Sequence, residues 1–133
     1  MLDGDDVRAA LRPQPGYDDA SRSHFYATLM NLAAMLASQG MAVLVPATAN
    51  RRSFREAARE LAPRFVEVFI DTPVEVCAER DAKGLYARAK DGDIADMPGV
   101  GASYERPEAP DVVARGGEDE GAVERIIALA VGS

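Results

Sequence analysis

Apolar residues recur along this chain in two patterns, one with a helical period and one in short unbroken runs. Phe25, Leu29, Leu32 and Leu36 fall at i, i+4, i+7 and i+11, which predicts a helix from Arg22 to Ser38, stopped by Gly40. Met41-Ala-Val-Leu-Val-Pro46 and Phe65-Val-Glu-Val-Phe-Ile-Asp71 are too short and too apolar for amphipathic helices. Both are rich in β-branched or aromatic residues and predict buried strands. Ser53-Phe-Arg-Glu56 and Thr72-Pro-Val-Glu75 each fit a capping box, the second with Pro at the first helical position. Val123, Ile126, Ile127 and Ala130 predict a closing helix, with Glu118, Asp119 and Glu120 at its positive end. Residues 92–117, interrupted by Pro98, Pro107, Pro110 and several glycines, predict a long loop or lid.

Helices alternating with strands imply an α/β fold, a parallel sheet joined by right-handed crossovers and flanked by helices. The ligand site of such a sheet lies at the carboxyl ends of its strands. Asp3, Asp5, the stretch Pro46 to Asn50 and Asp71 are all expected near those ends. With 133 residues, 47% of them apolar, the chain suffices for one domain, residues 1–133. A net charge of −7 argues against nucleic acid or an anionic membrane as partner. One cysteine permits no intrachain disulfide, and no apolar run approaches the ~20 residues of a membrane span, so a cytoplasmic location is expected.

The candidate chemistry is charged. Asp3-Gly4-Asp5 follows a short apolar start; if Gly4 lets the backbone turn, one carboxylate could hold magnesium through water while the other orients a hydroxyl. The alternative is a solvated acidic segment. Tyr17 offers a π-face and Arg22 a planar fork suited to phosphate or sulfate. Phe25 is better read as core, and His24, the only histidine, as a surface helix residue. Arg52 and Arg55 fit a solvated helix start. Lys83 stands out because the chain has only two lysines against thirteen arginines. An ammonium there could neutralise charge on a transferring phosphoryl group.

Three segments together resemble the adenylylsulfate kinase family: Leu2-Asp-Gly-Asp-Asp-Val-Arg8, Cys77-Ala-Glu-Arg-Asp-Ala-Lys-Gly-Leu-Tyr86 and Tyr104-Glu-Arg-Pro-Glu-Ala-Pro110. The resemblance runs from Leu2 to Leu129. It implies a P-loop NTPase fold and transfer of phosphate from ATP, with Mg2+, to the 3′-hydroxyl of adenosine 5′-phosphosulfate. It implies catalytic or metal-linked roles for Asp3 and Asp5, and substrate contacts from Arg8, Tyr17, Arg22, Lys83 and Met97. Arg80 would reach the ATP phosphates. The departures are Asp6 and Phe25 at two family asparagines, Ser21 at an aspartate, Ala49-Asn50 at Ser-Pro, and Met97-Pro98 at Phe-Thr.

No G-x-x-x-x-G-K-[ST] occurs in the chain. That loop supplies the N–H cradle for the phosphates, so ATP binding by these residues alone is not expected. Two explanations stay open: an incomplete domain lacking the first strand, P-loop and first helix, or a short paralogue that binds a sulfonucleotide or a partner without catalysis. A related kinase with a different hydroxyl acceptor is a third. A homodimer, or association with a P-loop-bearing segment, remains open as well.

Overall fold

The computed structural model describes residues 1–72, 104–116 and 118–131. They form α1 (Gly4–Ala10), α2 (Asp19–Ser38), α3 (Arg52–Leu61), β1 (Val68–Asp71), β2 (Val112–Arg115) and α4 (Glu120–Val131). Two compact units divide the chain, Met1–Phe65 and Val66–Ser133. The Thr72 capping box and the residues Cys77, Arg80, Lys83 and Met97 lie outside the described residues or at their edge.

In the first unit, α2 begins three residues before its predicted start because Asp18 caps it, accepting from the N–H of Ser21 at 3.2 Å and its hydroxyl at 2.7 Å. It ends as expected at Gly40. There φ is +90°, and the N–H groups of Gly40 and Met41 return to Ala37 and Leu36. The buried face is Phe25, Tyr26, Leu29 and Met30, with Leu32 and Leu36 only half-buried. Tyr26 and Met30 are drawn inward because α3 lies against this flank, Phe54 stacking on Tyr26 with ring centroids 4.7 Å apart. Ala49 and Ala58 complete the core, and Leu2, Val7, Val45 and Phe65 pack around it.

The strand expected over Met41–Pro46 is not formed as such. Leu2 N–H donates to the Leu44 carbonyl at 2.7 Å and Gly4 N–H to that of Pro46 at 3.2 Å. This is parallel-ladder spacing, but the return bond between them would have to come from residue 46, and proline has no N–H. The Ser53 capping box is also absent. The helix starts earlier, with Arg51 as N-cap and no side-chain cap bond, so Ser53 already lies inside α3.

In the second unit, the run Phe65–Asp71 forms a strand only from Val68 onward. It pairs in parallel with β2, Val68 opposite Val112 and Asp71 opposite Arg115. Parallel pairing is as expected; β2 itself, within the segment expected as a loop, is not. Its two valines and an alanine supply the strand, and Gly116, at φ +79°, turns the chain out of it. Val112, Ala114 and Ala122 form the core, with Val66, Val68 and Ile126 packed on it. The closing helix thus turns a different face to the sheet from the one predicted. Ala122 and Ile126 meet β2, while Val123 and Ile127 are 52% and 56% exposed. A methyl side chain at Ala122 lets the backbones approach where an isoleucine would not.

Asp119 caps α4, accepting from Ala122 N–H at 3.0 Å and, through its other oxygen, from Arg115 N–H at 3.2 Å. These bonds hold its carboxyl below the usual 3.8, and the Ser21 hydroxyl and N–H do the same for Asp18. The sign follows: both caps stabilise fully above 3.8, and their contribution fades as pH falls through the lower folded values. Helix content followed by circular dichroism is expected to drop on acidification below that point. The drop should be smaller in a chain carrying Asp18→Asn and Asp119→Asn.

Candidate functional site

The first unit gathers most of the described candidates around the start of α2. Asp3 ends the extended entry, and its Oδ1 accepts from the N–H groups of Asp5 at 2.9 Å and Asp6 at 3.3 Å. The turn anticipated at Gly4 is therefore the first turn of α1, made by Asp3 as N-cap. Asp5 lies exposed on that turn. Gly4 faces the loop beyond the extended segment, its Cβ position 3.7 Å from the Pro46 carbonyl oxygen and 3.8 Å from Ala47 Cβ.

Arg8, on the last turn of α1, is only 8% exposed. Its guanidinium lies 4.4 Å from the Tyr17 ring centroid and 4.1 Å from that of Phe25, and Nη1 donates to the carbonyls of Pro15 and Gly16. A planar cation is thus held between two rings, an arrangement that an ammonium could not copy. Phe25 is core at 3% exposure, as expected, and stacks on Tyr26 at 5.4 Å. The column runs Tyr17, Arg8, Phe25, Tyr26, Phe54. Tyr17, at its outer end, keeps 62% of its surface exposed. Arg22 is partly buried on the first turn of α2, and Arg51 at the start of α3 pairs with Asp19 at 3.2 Å.

Two side-chain roles here were not anticipated from the sequence. Tyr26 accepts a 3.0 Å hydrogen bond at its hydroxyl from Ala49 N–H, and Arg55, expected as solvated surface, is 9% exposed and donates Nη1 to the Ala49 carbonyl at 2.6 Å. Arg55 is buried because α3 turns that side toward the loop before it. The signal for Tyr26 was an aromatic with a polar tip next to the helix's apolar stripe. A partner 23 residues away leaves no trace in local spacing.

In the second unit, Asp71 ends β1 at the carboxyl edge of the sheet, as expected. It is paired with Arg106 at 3.6 Å and Arg115 at 3.5 Å. Arg106 lies 5.1 Å from the Phe69 ring, on which Tyr104 also stacks at 6.3 Å. This sets the path of the Tyr104–Pro107 stretch by packing, in addition to proline geometry. Among the described residues no cluster of three metal-ligating side chains occurs, and no helix is long and apolar enough to cross a membrane. His24 is exposed.

Comparison with known proteins gives a consistent result. The chain is 40% identical over 114 residues to an adenylyl-sulfate kinase of Aeromonas salmonicida and 41% over 118 residues to one from Synechococcus sp., covering 84% and 89% of the chain. It is 43% identical over 116 residues to the bifunctional enzyme NodQ of a Rhizobium species. It spans 58%, 67% and 18% of those three proteins, respectively. Among solved structures, the Mycobacterium tuberculosis APS kinase in complex with AMPPNP and APS matches at a TM-score of 0.85 and 39% identity, over 94% of this chain and 76% of that one. The crystal structure of APE1195 matches at a TM-score of 0.81 and 26% identity, over 98% and 76%. The fold is accordingly the parallel α/β arrangement of the P-loop NTPases. The family profile described as adenylylsulphate kinase matches residues 1–115. On these matches and the shared fold, the chain belongs to the adenylylsulphate kinase family.

Proposed function

We propose that this chain supplies the acceptor side of an adenylyl-sulfate kinase site, in which phosphate passes from ATP to the 3′-hydroxyl of adenosine 5′-phosphosulfate. The observation that carries this reading is the exposed Tyr17 ring, backed by the Arg8 guanidinium clamped behind it, with Arg22 on the first turn of α2. A ring held rigid from behind is a stacking platform for a purine, and a fork-shaped cation next to it suits the phosphosulfate. Asp5 takes the proton from the 3′-hydroxyl as its oxygen bonds to the γ-phosphorus; the bond to the β–γ bridging oxygen breaks and ADP leaves. The products are ADP and 3′-phosphoadenosine 5′-phosphosulfate. Arg80, Lys83 and Met97, outside the described residues, take the phosphate and nucleotide roles that the family pattern implies for them.

Magnesium bound together with ATP would supply neutralisation of the phosphate charge. An ion that keeps most of its waters needs few carboxylates from the protein. Asp3, whose Oδ1 holds the α1 turn, would be the residue to hold such an ion through water. Because no G-x-x-x-x-G-K-[ST] lies within these 133 residues, calorimetry on them alone is expected to show no micromolar MgATP binding. Micromolar binding would overturn that part.

The transfer itself is tested by coupled ADP release from the chain joined to the phosphate-loop segment of an adenylyl-sulfate kinase relative. Release that depends on adenosine 5′-phosphosulfate supports the reading, and release without it, or none, refutes it. A kinase with another hydroxyl acceptor is the second reading. It is favoured by Phe25, whose ring is buried against Arg8 and offers the substrate no polar contact. A panel of hydroxyl compounds in the same assay separates the two.

A further inference from the structure

We infer that Tyr26 and Arg55 are positioning residues for the Asp3–Gly4–Asp5 turn, acting through the backbone of Ala49; this rests on the role proposed for Asp5. Ala49 has φ +40°, a left-handed conformation that side chains other than glycine rarely adopt, and it is only 5% exposed. Such a residue persists only where its surroundings over-determine it. Here they do so from two helices at once. Tyr26 of α2 takes its N–H and Arg55 of α3 takes its carbonyl, so both backbone polar groups are fixed by side chains.

The entry to α3 needs such a hold, because its N-cap Arg51 makes no side-chain cap bond. The loop so fixed is continuous with Pro46 and Ala47, which lie directly under Gly4. The Pro46 carbonyl accepts the Gly4 N–H at 3.2 Å, and Gly4 is flanked by the capping Asp3 and the exposed Asp5. Proline at 46 deletes the ladder bond that would otherwise brace this contact. The height of the turn therefore depends on where the Ala49 loop sits. Tyr26 is itself immobilised between Phe25 and Phe54, so its hydroxyl is a fixed point.

The test is Tyr26→Phe in the full 133-residue chain, which keeps the ring stack and removes one oxygen; Arg55→Lys is measured in parallel. Amide hydrogen exchange by NMR is expected to rise about tenfold at Ala49, Gly4 and Asp5, with the amides around Leu29 unchanged. With the same substitution in the chain joined to the phosphate-loop segment, the transfer assay should show kcat about tenfold lower while KM for ATP stays put. Faster exchange at Ala49 alone, an equal rise throughout the core, or an unchanged kcat would each overturn the inference. A parent protein that transfers no phosphate would sink the proposed function instead, and the exchange comparison would still decide the coupling.

Discussion

Asp5→Asn is expected to lower the rate of phosphate transfer by about 10²- to 10⁴-fold, with little change in the affinity for adenosine 5′-phosphosulfate. Asparagine matches aspartate in shape but cannot take a proton from the 3′-hydroxyl. The loss should therefore fall on kcat, because the interaction matters only as the new bond forms. Structure should not suffer. Asp5 is exposed on the first turn of α1, and the cap there is made by Asp3. Asp3→Asn provides the contrast: an amide oxygen can still accept from the Asp5 and Asp6 N–H groups, so α1 is retained while any charge-dependent role is lost. The check is kcat and KM for both substrates in the chain joined to the phosphate-loop segment, with circular dichroism to confirm the fold. A fully active Asp5→Asn protein would remove Asp5 from the chemistry.

Leu29→Ala is expected to have the largest effect on stability, about 3–5 kcal/mol, because its side chain is completely buried. It sits in the core formed with Phe25, Tyr26, Met30, Ala49 and Ala58. The neighbours are poorly able to close the cavity. Two are aromatic rings fixed by stacking, one carries Arg8 on its far face, and two are alanines with nothing to extend. Denaturant melts would read the loss directly. A change below about 1 kcal/mol would mean that the column of rings is looser than its geometry says.

The two effects are physically separable, which makes them useful together. One removes a charge at the surface and changes no packing; the other changes packing and no charge. A chain that lost transfer activity in both cases would tie the position of Asp5 to the integrity of the α2 core. That dependence is the one expected of a turn supported from below by the Ala49 loop.

What local sequence determined was the set of elements whose cause is local. The 3.6-residue apolar period and Gly40 marked α2 and its end, the apolar run before Asp71 marked β1, and the acidic triplet at 118–120 marked the start of α4. The motif segments were enough to identify the family, because each packs unusual residue types into a short span. Tertiary structure decided what depends on distant partners. It made Asp3 a helix cap, buried Arg8 between two rings, turned Ala122 instead of Val123 toward the sheet, and drew a strand from residues 112–115. A four-residue strand has too little periodicity to declare itself and exists because β1 offers it a ladder. Arg55 and Tyr26 meet at the Ala49 backbone for the same kind of reason: the bonds that hold that loop come from two helices, and only folding brings them to one place.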